Sequence, residues 1–284
     1  MDFINDFKRR YSGFDTSGKL IVVLLISSLS IWLIGKISVP AYNYLVYPSG
    51  WKQPLFQPWS AITYAFIHSS ILHFVGNAIG LYYGGRYFLN LFKSRHFIAL
   101  FILGVLAGAL SFTLGTSIAP YFFNKGGIVG ASAGVYAILF FIFHYFAEQD
   151  IRVLSFTFKL KYIGYALLAI ELIGVTSGYN RGGSLAHLAG AAVGLYASAK
   201  AKQGNMIMEP IAVVIDTIKG WFDRSSSKPN SSKMKTVYRS KNKVKNSQKP
   251  NQSEIDAILD KIKESGYDSL SKKEKDVLFR ASQD

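Results

Sequence analysis

No cysteine occurs in the 284 residues. That excludes a disulfide framework, a thiolate metal site and a cysteine nucleophile, though it says nothing of the redox compartment. Acidic residues are scarce, 17 against 32 Lys and Arg, which leaves a net charge of +15. There is no His-Glu-x-x-His helix, and no acidic ligand lies close in sequence to His68, His73 or His187, so no metal site is expected. The glycine-rich stretch around Gly130 lacks the Gly-Lys-Ser/Thr ending of a phosphate loop, which argues against nucleotide binding. No cofactor is therefore expected. Paired broken helices in matching halves, the mark of a small-solute transporter, are also missing.

What the chain does have is apolar and clustered. Half of its residues are hydrophobic. Leu20 to Val39 is nearly charge-free over about the length of a bilayer core. It is too long for a signal h-region and has no small-residue cleavage site, so it reads as a first transmembrane helix. Five further candidate spans cover about 70–91, 97–117, 131–146, 162–177 and 185–201. Their Gly and Ala content suits close helix packing in lipid. Lys8, Arg9 and Arg10, then Arg86, Lys93 and Arg95, then Arg152, Lys159 and Lys161, and finally the basic tail fall on one side of these spans. The other side holds mainly Lys52, Lys125 and Arg181. The positive-inside rule puts both termini in the cytoplasm, and six spans satisfy that parity.

The expected fold is an all-α polytopic membrane protein, a six-helix bundle with a cytoplasmic basic tail and a small C-terminal helical hairpin. A cytoplasmic segment covers 1–18 and the membrane domain 19–201. The long connection from Pro40 to Ser69 carries Trp51 and Trp59. It reads either as an interfacial hairpin or as an outer loop with aromatic anchors. Residues 202–223 read as an interfacial amphipathic helix, with Ile211, Val214, Ile215, Ile218 and Phe222 as its apolar stripe. Residues 224–252 are Ser, Asn and Lys rich and read as a disordered linker. Its expected partner is anionic lipid of the inner leaflet rather than nucleic acid. Over 253–284, Ser253-x-x-Asp256 starts one short helix, Gly266 ends it, and Ser271-x-x-Glu274 is a capping box for a second.

The candidate chemistry lies at three helix starts on the same side. Ser132 opens the fourth span after Gly130-Ala131. A hydroxyl there is either a cap or a nucleophile beside unpaired backbone N–H groups. His73 and Asn77 stand at i and i+4 on span two and can both donate hydrogen bonds. They either cross-link helices or, with the Ser132 N–H, stabilise an oxyanion. His187 begins span six, with Gly190 and Gly194 on its side. That glycine face lets another backbone approach closely. If that helix is span four, His187 meets Ser132 as the base a serine nucleophile requires. His144 lies about three turns from Ser132 and cannot serve. Glu171 in span five is expected to be structural or gating, because its position suggests no route to His187.

These residues, in this order, resemble the rhomboid family of intramembrane serine proteases over roughly Trp59 to Ser198. The family's His-x-x-x-Asn corresponds to His73 and Asn77, its Gly-x-Ser to Gly130-Ala131-Ser132, and its Ala-His-x-x-Gly-x-x-x-Gly to Ala186 through Gly194. Tyr136 matches a tyrosine that packs on the catalytic histidine. The resemblance implies a Ser132–His187 dyad without an acidic third member. It also implies transmembrane protein substrates with small residues at the cut, and residence in a membrane of the bacterial inner (plasma) type. Ala133 stands where the family commonly has Gly, Ser60 follows Trp59 where Arg is common, and of a Glu-x-x-x-Gly-x-x-Arg pattern only Arg95 survives. The alternative to a protease is a non-catalytic relative that binds transmembrane helices without cutting them.

Overall fold

The computed structural model describes residues 2–123, 126–153, 155–178, 180–226 and 251–281. They fall into two compact units, Met1–Ser226 and Ser227–Asp284. The first begins with α1 (Asp2–Gly13) and α2 (Thr16–Ile37), followed by three short helices, α3 (Val39–Asn43), α4 (Lys52–Phe56) and α5 (Ser60–Thr63). Then come α6 (Ile71–Leu89), α7 (Ser94–Ile118) and α8 (Ser132–Tyr145). A hairpin of β1 (Asp150–Val153) and β2 (Phe156–Lys159) leads to α9 (Lys161–Ser177), α10 (Arg181–Lys202) and α11 (Glu209–Ser226). All six stretches read as spans are helical. By length and composition, α2 and α7 qualify on their own to cross a bilayer.

The core is built around α8. Nearly every residue from Ala133 to Phe143 is buried, and α10, α7 and α6 pack against it. Small residues set these approaches. A Cβ on Gly190 would lie 2.1 Å from the Ala133 carbonyl oxygen, and one on Gly194 would lie 2.2 Å from that of Ala137. On the α7 side, a Cβ on Gly104 would meet the same Ala133 oxygen at 2.7 Å. Backbone therefore rests on backbone along both flanks of α8, the arrangement that lets dispersion contacts hold helices together in lipid. Phe88, Phe92, Phe97 and Phe141 fill the other end of this core with tilted and edge-on ring contacts.

The connection 38–70 folds into short helices fastened to the bundle. Trp59 Nε1 donates to the Tyr44 carbonyl at 2.8 Å, and the two rings stack. Tyr47 and Ile128 exchange backbone hydrogen bonds, so this segment also holds the loop that precedes α8.

Two local features depart from the expectation. The β1–β2 hairpin, with Asp150 opposite Lys159, was not expected. Its short, charged strands carry too weak an alternation to stand out. The apolar stripe of α11 is divided between two faces. Met208 and Ala212 are buried and Ile211 and Ile215 pack on the core, while Val213, Val214, Ile218 and Trp221 stay exposed. Polar contacts decide that rotation. Arg95 reaches Glu209 at 2.5 Å and Asp216 at 3.0 Å, and His96 pairs with Glu209 at 2.6 Å. The hydrogen bond with His96 comes first among the causes that hold the Glu209 carboxyl below its ordinary range. Asp216 thus helps to anchor the helix.

The second unit contains α12 (Gln252–Ser265) and α13 (Lys272–Ala281), with a single 3-10 turn between them. Asn251, not Ser253, holds the extended N-cap conformation of α12. Gly266 ends that helix at φ +78°, in the left-handed region that glycine tolerates. Ser271 and Glu274 form the reciprocal capping box, with bonds of 2.7 and 3.4 Å. Ile258 and Leu270 are buried in this small unit. Most of the expected linker, 227–250, lies outside the described residues.

Candidate active site

Ser132 is the first residue of α8, so its backbone N–H has no partner within the helix. The chain reaches it through Gly130 at φ +122°, a conformation that suits glycine. Gly130 N–H is tied to the Tyr64 carbonyl at 2.9 Å, and the Tyr64 hydroxyl is tied to the Val105 carbonyl at 2.7 Å. The turn that presents the serine is thereby fixed to α7 through one buried tyrosine. Space demands glycine here as well, since a Cβ would sit 2.6 Å from His73 Cε1.

His187 lies six residues past the start of α10, one turn before Gly190. The close contact at Gly190 brings its ring over Ser132, with Nε2 2.6 Å from the Ser132 Oγ. Tyr136, one turn into α8, stacks on the imidazole at a centroid distance of 4.5 Å and 16° between planes. A cleft of about 470 Å³ leads to this pair and is lined by His73, Gly130, Ser132, His187, Ser69 and Asn180 among others.

The two expected donors on α6 are placed differently. His73 reaches the cleft. Its Nδ1 lies 3.1 Å from the Ser69 hydroxyl, and its Nε2 lies against Gly130 in the cleft that Ser132 also lines. If Nδ1 accepts from Ser69, the ring proton sits on Nε2 and points into the cleft. Asn77 is buried and is not among the residues that line the cleft. Its amide donates to the His73 carbonyl at 3.0 Å. One turn below His73 on the same face, Asn77 thus spends one of its amide N–H donors on the backbone of its own helix.

Glu171 is where the reading from sequence fails. Its carboxylate lies 3.0 Å from His187 Nδ1 and accepts a hydrogen bond from the Tyr136 hydroxyl. The reason is topological. Helix α9 ends at Ser177 and α10 begins at Arg181, a separation that leaves them antiparallel neighbours, and Glu171 and His187 are each eight residues from position 179. They are therefore level across the helix pair. That symmetric spacing is a signal the sequence does carry. Ser69 and Asn180 were also missed; neither belongs to a motif.

The other histidines are engaged elsewhere. His68 Nδ1 meets the Ser28 hydroxyl of α2 at 2.8 Å, and His144 Nδ1 meets Ser198 at 2.9 Å. Among the described residues, no cluster of three or more His, Asp or Glu side chains is arranged to hold a metal ion.

A hydroxyl held by an imidazole, with backbone and side-chain donors facing the same cleft at the start of a buried helix, is a constellation suited to acyl transfer. Comparison with known proteins agrees with the motifs. The rhomboid domain matches residues 55–203, more than half of the chain. The chain belongs to the rhomboid family. As a member of that family it is a membrane protein. It is 23% identical over 223 residues to RHOMBOID-like protein 12, mitochondrial, of Arabidopsis thaliana, an alignment covering 69% of this chain and 66% of that relative. The match therefore spans just under two thirds of the relative's length. Residues 241–284 match a separate family of unknown function (DUF6576).

Proposed function

We propose that this rhomboid is an intramembrane serine endopeptidase that hydrolyses a peptide bond in or beside a transmembrane helix of its substrate. The observation that carries the reading is the 2.6 Å contact between Ser132 Oγ and His187 Nε2 at the end of a cleft. Ser132 Oγ attacks the peptide carbonyl carbon while its proton passes to His187 Nε2. The Ser132 N–H and His73 Nε2–H donate to the resulting oxyanion. Nε2 then gives its proton to the departing amine nitrogen as the C–N bond breaks. A water molecule repeats the attack on the acyl-serine, with Nε2 again taking and returning the proton.

The bundle supports chemistry at membrane depth. Helix α8 has 14 residues and is therefore about 21 Å long, against about 30 Å of hydrocarbon. Its N-terminus starts inside the bilayer, and the cleft brings water to it. We assign six spans to α2, α6, α7, α8, α9 and α10, with both termini cytoplasmic, on the distribution of Lys and Arg. The substrates are single-span proteins whose helix unwinds near the opposite leaflet. Residues that break helices lower the cost of presenting an extended segment to Ser132.

A fluorophosphonate probe applied to detergent-solubilised protein tests this reading. Labelling of the wild type and none of Ser132→Ala is expected. An unlabelled, folded wild type that cleaves no transmembrane peptide overturns the reading in favour of a non-cutting helix binder.

A further inference from the structure

The dyad mechanism leaves one buried acid without a task. Glu171 is 5% exposed, and Gly164 is its sole companion among the buried residues of α9. Its neighbours Ile170, Leu172 and Ile173 are all more than half exposed. A carboxylate turned inward from an otherwise outward-facing apolar helix is costly at membrane depth, and such residues mark function. Its surroundings are specific. The Tyr136 hydroxyl donates to it, the buried Ser184 hydroxyl faces it, and His187 Nδ1 lies 3.0 Å away. Nδ1 is buried and, among the described residues, makes no directed hydrogen bond of its own.

We propose that Glu171 is a positioning residue for His187, giving this chain an acid–base–nucleophile line that runs from α9 through α10 to α8. The inference rests on the peptidase reading above. Its physical content is twofold. For Nε2 to accept the serine proton, the ring proton must sit on Nδ1, and the Glu171 carboxylate is the acceptor that favours this tautomer. When Nε2 gains the proton, the ring becomes an imidazolium whose charge faces a fixed carboxylate in a medium of low dielectric. Tyr136 joins the two effects, because its ring holds the imidazole plane while its hydroxyl holds the carboxylate. Without Glu171, Nδ1 has no other acceptor in contact among the described residues, and the neutral ring is free to carry its proton on the wrong nitrogen.

A triad carboxylate in line with its histidine is worth about 10⁴ in kcat, and the off-line approach here makes the expected loss smaller, roughly ten- to a hundred-fold. The test compares full-length wild type, Glu171→Gln, Glu171→Asp, Tyr136→Phe and the double variant Glu171→Gln with Tyr136→Phe in detergent. Fluorophosphonate titration counts working sites, and turnover of a transmembrane peptide is expressed per labelled site. Glu171→Gln is expected to keep its sites and its KM but to lose the stated factor in kcat. Glu171→Asp, which keeps the charge, should recover part of that loss. Tyr136→Phe keeps the stacked ring and removes the tie to the carboxylate, so it should lose less, and its effect should not multiply with that of Glu171→Gln. Glu171→Gln turning over at the wild-type rate per site overturns the inference and leaves the peptidase intact. A loss that appears wholly as fewer labelled sites overturns it too, because that is the result of a structural role. An unlabelled wild type defeats the peptidase reading itself.

Discussion

Replacing Gly190 by alanine tests the geometry at its tightest point. The added Cβ would fall 2.1 Å from the Ala133 carbonyl oxygen, 2.9 Å from its carbon and 3.2 Å from its Cα. An ordinary carbon–oxygen contact is about 3.3 Å, so α10 must withdraw from α8 by about 1.2 Å at this level. Neither partner is a flexible side-chain end, so the adjustment falls on the helices. His187 is one turn away on the same face of α10 and moves with it. Opening the 2.6 Å contact to Ser132 by a comparable amount takes it beyond hydrogen-bond range. A misplacement of that size costs about 10² in rate, and overpacking costs about 1–3 kcal/mol in stability. Turnover per fluorophosphonate-labelled site, read beside a thermal unfolding curve, separates the two effects. Gly76→Ala is the control, since a Cβ there meets nothing within 4 Å, and it should cleave within about twofold of wild type while gaining about 0.5–1 kcal/mol of helix stability. A Gly190→Ala protein that folds, labels fully and cleaves at the wild-type rate refutes the close approach of α10 to α8 as the device that places the base.

Ser132→Ala and His187→Ala should each abolish cleavage, and the double variant should be no slower than either, because groups that act as one unit give non-additive losses; independent, multiplying losses would separate the pair. His73→Ala should lose more turnover than Asn77→Ala. A donor facing the oxyanion is worth about 10²–10³ in rate, whereas Asn77 donates to the His73 carbonyl, and the reverse order of losses would return Asn77 to the cleft. In the C-terminal hairpin, the Ser271 hydroxyl, then Lys261, then the Ser271 backbone N–H hold the Glu274 carboxyl down at about 2, from an ordinary 4.5. A group depressed on folding stabilises above its unfolded pKa and ceases to as pH falls through its folded value. Hydrogen exchange of α13 in the full chain, corrected for intrinsic rates, should therefore accelerate between about pH 4.5 and about pH 2, and the same response in Glu274→Gln would exclude this carboxyl as its cause.

What the sequence determined is local or short in range. The apolar runs marked the helices of the bundle because each buries or exposes its own surface. Ser132, His73 and His187 stood out because each is a polar side chain in the first two turns of an apolar helix, and Gly190 and Gly194 showed which face of α10 lies close to another backbone. The capping box at Ser271 and Glu274 was legible for the same reason, since both partners lie within one turn. Tertiary structure decided what depends on how helices are rotated and how deep they sit relative to one another. The stripe of α11 was split between core and surface by Arg95 and His96, which lie more than a hundred residues away in the chain. Asn77 shares a face with His73, yet one turn of depth places its amide against the His73 carbonyl and leaves it off the lining of the cleft. Glu171 carries no motif, and its meaning comes from the antiparallel pairing of α9 with α10, which sets its carboxylate level with Nδ1 of His187. Periodicity tells which residues share a face of one helix; packing alone tells which atoms of two helices stand at the same height.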